Sequence, residues 1–164
     1  MEKAPSHSEQ STHFMREVIA LAMENVRSGA GGPFGALVVK NGEIVSRGRN
    51  LVTSTNDPTA HAEVVAIRRA CQNLNTYQLT DCDLYSSCEP CPMCLGAIYW
   101  ARPRRIYFGA LHSDAARAGF DDQFIYHELS KPREQRSIPM VQLLEDEAWA
   151  PFKAWQEKLD RRLY

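Results

Sequence analysis

Apolar residues near the start of the chain recur at helical spacing. Phe14, Val18, Leu21 and Ala22 form one stripe, which predicts an amphipathic helix over about 10–27. The polar residues before it, 1–9, read as a loose tail. Ser28-Gly29-Ala30-Gly31-Gly32-Pro33 ends the helix. The runs Gly35-Ala36-Leu37-Val38-Val39-Lys40 and Glu43-Ile44-Val45-Ser46-Arg47-Gly48 flank Asn41-Gly42, the signature of a hairpin with a primed turn. A polar loop over 50–56 leads to a second helix reaching about Leu74. Its Ala62, Val64, Val65, Ala66, Ile67 and Ala70 leave little polar face, as expected where other elements cover it.

Asp83-Leu84-Tyr85-Ser86-Ser87 then reads as a strand, with a helix from Cys91 to about Ala101 and a strand over 105–109. A short helix at 115–118 and a tight segment, Gly119-Phe120-Asp121-Asp122, follow. Residues 138–144 predict an edge strand. A final helix over about 147–159 carries Trp149, Phe152, Trp155 and Leu159 on one stripe. This order predicts an α/β fold of three layers, α/β/α, with a mixed central sheet of about five strands and helices on both faces. Residues 10–164 read as one domain, without internal repeats.

The chemistry gathers at Cys88-Glu89-Pro90-Cys91-Pro92-Met93-Cys94. Pro90 and Pro92 suit a first helical turn, where a missing N–H costs nothing. Cys91 and Cys94 then share one face at the positive end of the helix dipole, which favours their thiolates. Alone, this Cys-x-x-Cys fits a redox pair, half of a structural zinc site or part of a catalytic one. His61-Ala62-Glu63 resolves the choice. One His and two Cys make three protein ligands, and a zinc site closed by three keeps a position open for water. The crossover between His61 and Cys91 is long enough for a helix, a turn and a strand. Glu63 lies about 200° around the helix from His61, so the two converge only beyond the helix N-terminus. Asp57-Pro58-Thr59-Ala60 offers the entry, with Asp or Thr as cap. His-x-Glu followed by Pro-Cys-x-x-Cys is the signature of zinc nucleobase deaminases, in which the Glu is the acid/base and not a ligand. It implies one Zn²⁺ per chain at His61, Cys91 and Cys94, with Glu63 catalytic.

Composition narrows the partners. The 164 residues are 44% hydrophobic and 24% charged, with a net charge of −1, which fits a globular protein and offers no basic face for nucleic acid. No apolar run approaches a membrane span of ~20 residues, and Met1 to Ser8 lack a signal-peptide core. With two of the five cysteines at the metal, Cys71, Cys82 and Cys88 read as packed thiols in a reducing compartment. The expected location is the cytoplasm.

Over nearly its whole length the sequence resembles the cytidine deaminase superfamily, and within it the bacterial guanine deaminases. Beyond the zinc motifs, Gly31-Gly32-Pro33-Phe34-Gly35-Ala36, the run from Asn56 to Glu63, the run from Tyr85 to Pro103, and Ala118-Gly119-Phe120-Asp121-Asp122 carry the likeness. The resemblance implies hydrolysis of guanine to xanthine and ammonia, in purine catabolism or salvage. It assigns Asn50, Phe34, Ala62, Trp100, Asp122 and Tyr164 to the purine: Asn50 by hydrogen bonding, Phe34 and Trp100 as walls. Asp122 becomes a second catalytic carboxylate, and Tyr164 a terminal residue that closes a partner's pocket. A homodimer, with a segment near 145–164 as candidate for exchange, is also implied. Competing readings are a guanosine or ammeline deaminase, a tRNA adenosine deaminase, a non-catalytic zinc module and a thiol oxidoreductase.

Overall fold

A computed structural model describes residues 7–164; most of the tail expected over 1–9 lies outside the described residues. The chain divides into two compact units, one ending at Asp122 and the other Gln123–Tyr164. In the first, α1 (His7–Ser28) leads to β1 (Gly35–Lys40) and β2 (Glu43–Arg49). After these come α2 (Val52–Thr55), α3 (Ala62–Leu74), β3 (Cys82–Cys88), α4 (Pro92–Ala101), β4 (Arg105–Ala110) and α5 (His112–Arg117).

Among the described residues the sheet has four strands in the order β2-β1-β3-β4. β1 pairs antiparallel with β2 and β3, and β3 pairs parallel with β4. Asn41 and Gly42 both take positive φ, 52° and 80°, so the hairpin turn is of the primed kind its sequence signals. Alternation along the strands divides the core. Ala36, Val38 and Leu84 face α3 and α4, packing with Ala62, Ala66, Ala70 and Ile98. Leu37, Val39 and Tyr85 face α1, packing with Phe14 and Val18. Side chains of successive strand residues point to opposite faces, so one sheet supports helices on both sides. These are the three layers expected.

Three local expectations are corrected. The sheet has four strands rather than about five, because residues 138–144 form no strand. Pro139 has no N–H for a ladder, and Leu144 turns the chain with φ of 54°. The loop over 50–56 contains the one-turn helix α2, where the Ser54 and Thr55 hydroxyls bond the Leu51 carbonyl. The cap of α3 is His61 itself. Asp57 instead folds the approach into a turn, accepting from the Thr59 N–H at 2.8 Å and the Thr59 hydroxyl at 2.7 Å.

Gly48 sets how closely β2 passes α3. A Cβ there would stand 2.1 Å from the Ala62 carbonyl oxygen and 2.7 Å from the Ala66 nitrogen. Only glycine permits this approach, which fixes the end of α3 that carries His61 and Glu63. At the other side, Arg104 clasps the buried Asp83 with bonds of 3.1 and 2.7 Å, joining the start of β3 to the approach to β4.

The second unit contains α6 (Gln123–Ser130), a single 3₁₀ turn (Arg133–Gln135) and α7 (Glu145–Glu157). Sequence periodicity did not reveal α6. Glu145, Asp146 and Glu147 occupy the first turn of α7, where the helix dipole favours negative charge. Trp149 and Phe152 stack with ring centres 5.6 Å apart. The stripe is open to solvent: Trp149, Phe152 and Trp155 are 54%, 61% and 40% exposed.

Candidate active site

Two helix N-termini build the site. The chain leaves β3 at Cys88 and enters α4 with Cys91 as N-cap (φ −65°, ψ 167°) and Pro92 as the first helical residue. The extended Cys91 backbone turns its Sγ back over the first turn, where it accepts from the Cys94 N–H at 3.5 Å. His61, also extended (φ −67°, ψ 154°), is the N-cap of α3, without a side-chain cap bond of its own. Its Nδ1 stands 3.5 Å from the Sγ of Cys91 and 3.5 Å from that of Cys94. All three donor atoms lie within 4.8 Å of one another.

This spacing can be compared with the requirements of an ion. A tetrahedral zinc with Zn–S near ~2.3 Å and Zn–N near ~2.0 Å sets its ligand atoms roughly 3.5 Å apart. The residues fit. One imidazole and two thiolates are a zinc donor set, and a fourth position stays free for water or substrate. The surroundings favour a thiolate at Cys91, whose pKa is pulled down to about 4 by bonding from the Cys94 thiol and from His61. The Cys94 thiol is pushed up by its bond to Cys91 and by burial.

Glu63 stands beside this group and is not one of its three donors. It is 5% exposed, in the first turn of α3. Its Oε2 lies 3.4 Å from Cys94 Sγ, and its Oε1 accepts from the Ser86 hydroxyl at 2.8 Å. Burial raises its pKa above the ordinary carboxylate range. Sequence reasoning gave Ser86 no role. The signal available was its register: two residues after Leu84, it is a polar side chain on the strand face that packs against α3, where it needs a partner.

Asn50 follows β2 and is 7% exposed. Its Oδ1 accepts from the Gly32 N–H at 3.4 Å and the Val52 N–H at 3.3 Å, which leaves its Nδ2 as the side able to donate. The Phe34 ring meets Phe120 edge-on, with centres 5.0 Å apart. Ala62, fully buried, lies between His61 and Glu63 in the chain. Asp122 is half-buried. Burial, and after it the Cys91 charge, raises its pKa, and it also acts electrostatically on His61. Trp100 occupies the last turn of α4, 65% exposed and ~9 Å along the axis from Cys94 at 1.5 Å per residue. Tyr164 ends the second unit, 70% exposed. The structure thus gathers His61, Cys91, Cys94 and Glu63. It seats Asn50 beside the Phe34 loop, and it does not bring Trp100 to the donor group.

Two carboxyl-side features complete the surroundings. Glu89 accepts from the backbone N–H of His112 at 3.2 Å and pairs with its Nδ1 at 2.8 Å. The Cys88 thiol points at the Leu111 carbonyl, and its pKa is raised to about 11 by burial. Cys88 is thereby held as a neutral thiol.

A buried carboxylate beside a His-Cys-Cys group with one open position is the equipment of a hydrolytic metalloenzyme. The model of the cytidine and deoxycytidylate deaminase zinc-binding region matches residues 8–110, and the chain belongs to this family of zinc-dependent deaminases. It is 57% identical over 151 residues to the guanine deaminase of Bacillus subtilis, spanning 92% of this chain and 97% of that one. The X-ray structure of guanine deaminase from Bacillus subtilis superposes with a TM-score of 0.92, at 54% identity, over 98% of this chain and 99% of that one. The tRNA-specific adenosine deaminase of Haemophilus influenzae is 37% identical over 135 residues, or 79% of this chain and 78% of that one.

Proposed function

We propose that this chain hydrolyses guanine to xanthine and ammonia with one zinc ion at His61, Cys91 and Cys94. The observation that carries the chemistry is the buried Glu63 carboxyl, 3.4 Å from Cys94 Sγ and bonded to Ser86. A structural zinc site has no use for such a group. The whole-length likeness to a guanine deaminase supports the choice of base.

Zinc held there supplies Lewis acidity, bringing the pKa of a water toward ~7, although two thiolates weaken it relative to three imidazoles. Glu63 accepts the proton of the attacking water. The water oxygen bonds to C2 of guanine, the carbon that carries the exocyclic amine. Glu63 hands that proton to a ring nitrogen, then takes the proton of the new C2 hydroxyl and delivers it to the amine. The C2–N bond breaks, and ammonia leaves. Glu63 therefore alternates between ionised and protonated states, and a raised pKa in a closed pocket assists that exchange.

For the base itself, Asn50 donates from Nδ2, Phe34 forms a wall, and Ala62 contributes backbone between His61 and Glu63. Asp122 receives the guanine N–H groups and relays protons. Trp100 forms a further wall, and Tyr164 closes the pocket of a partner subunit. We assign a homodimer, because the open aromatic stripe of α7 leaves Trp149 and Phe152 more than half exposed, and the α7 segment is the candidate for exchange. Among the described residues no helix is long and apolar enough to cross a membrane. Five unpaired cysteines fit the reducing cytoplasm.

The test is ammonia release by zinc-loaded protein from guanine, guanosine, adenine, cytosine, cytidine, ammeline and a tRNA substrate. Guanine ahead of the others supports the reading. Guanosine or ammeline ahead keeps the mechanism and changes the substrate, and activity on tRNA alone rejects a free-base pocket. Light scattering during size exclusion measures the dimer, and removal of Tyr164 measures its contribution to KM.

A further inference from the structure

Asn25 is a buried polar side chain that the chemistry above does not use. It lies near the end of α1, in a helix whose inward residues are otherwise apolar, and its exposure is 0%. Its Nδ2 donates to two backbone carbonyls, those of Gly32 and Asn50, each at 2.8 Å. Among the described residues its Oδ1 accepts no hydrogen bond. The idle acceptor carries a desolvation cost, but an apolar side chain would leave both carbonyls without their amide donor. What Asn25 contributes is position.

The two carbonyls belong to the segments that carry Phe34 and Asn50, and those segments are tied to each other as well. The Phe34 N–H donates to the Gly32 carbonyl at 2.8 Å, and the Asn50 N–H donates to the Phe34 carbonyl at 3.2 Å. The Gly32 N–H donates in turn to Asn50 Oδ1. Gly31 lies against the same point: a Cβ there would come 2.1 Å from the Asn50 carbonyl oxygen and 3.1 Å from Asn25 Nδ2. Asn25 therefore closes a ring of hydrogen bonds joining α1, the 31–34 loop and the end of β2. No apolar residue could hold both carbonyls.

We infer that Asn25 is a positioning residue for base recognition: it fixes the Asn50 main chain and the Phe34 loop so that the Asn50 amide and the Phe34 ring meet the purine in one geometry. This rests on the reading of Asn50 as a purine contact. Asn25 acts only through its neighbours, so its loss raises KM for guanine without removing zinc.

The experiment is a double-mutant cycle with Asn25→Ala, Asn50→Ala and the combined variant, each measured for zinc content, melting temperature, KM and kcat on guanine. Asn25→Ala is expected to keep its zinc and raise KM about tenfold, the scale of a lost hydrogen bond. The combined variant should fall well short of the product of the single effects, because Asn25 acts through Asn50. Should Asn25→Ala fail to fold, Asn25→Ser, which keeps one donor, serves in its place. A wild-type KM in a folded, zinc-loaded Asn25 variant overturns the inference, as does full multiplication of the two effects. An Asn50→Ala variant with unchanged KM overturns the reading of Asn50 and this inference together. A large effect from Asn50 alone overturns only the inference.

Discussion

The Ser86 hydroxyl donates to Glu63 Oε1 at 2.8 Å, reaching from the buried face of β3 to the first turn of α3. With Oε2 directed at Cys94, both oxygens of Glu63 are placed. The bond from Ser86 persists when Cys94 binds zinc as a thiolate, and it holds the base for the reacting water without a rotamer search.

Ser86→Ala removes this hydrogen bond and leaves the metal donors alone. Turnover on guanine should fall by about tenfold or more, as expected for a hydrogen bond to a charged group. Zinc content should remain at one per chain. Steady-state kinetics beside metal analysis reads both, and wild-type kcat would show that Ser86 merely fills space.

Gly48→Ala probes how the sheet sets the metal group. Its new Cβ would collide with the Ala62 carbonyl oxygen, so α3 must shift or the strand must bend. The expected cost is ~1–3 kcal/mol of stability, the range for overpacking. Weaker zinc retention should accompany it, since the displaced end of α3 carries His61. Chemical denaturation and competition with a chelator measure the two effects, and an unchanged protein on both counts would mean that the backbone yields freely there.

The Glu89–His112 pair gives a pH signature. The hydrogen bond to Glu89, and then the charges of Glu89 and Asp122, raise the His112 pKa above its ordinary value near ~6.5. The folded state therefore favours the imidazolium. Its contribution is fully present below about pH 6.5 and is lost as pH rises through the raised value. The melting-temperature gap between wild type and His112→Phe, both zinc-loaded, should be widest near pH 6 and narrow by about pH 9. A gap that widens with pH would reverse the assignment.

How far the sequence reveals this site depends on how local each signal is. His61 and Glu63 are two apart, Cys91 and Cys94 three apart, and each pair marks a helix start. That both pairs sit near helix starts could therefore be anticipated from short patterns. The hairpin was legible for the same reason, since Asn41-Gly42 demands positive φ. The bonds from Asn25 to Asn50 and from Ser86 to Glu63 join residues more than twenty positions apart, and no local pattern announces them. The strand expected at 138–144 failed because apolar composition suggests a strand only where a partner strand exists, and Pro139 weakens the pairing. The cap of α3 was misread because Asp57 and Thr59 bond each other and leave that place to His61.

The central claim is that Glu63 moves protons beside a zinc held by His61, Cys91 and Cys94. The most direct measurement compares ammonia release from guanine by zinc-loaded wild type and Glu63→Gln, with zinc content determined on the same samples. The expected result is one zinc per chain in both and a fall in kcat of at least ~100-fold in the variant, the scale of general acid–base catalysis. Near-normal turnover by a zinc-replete Glu63→Gln enzyme would contradict the account.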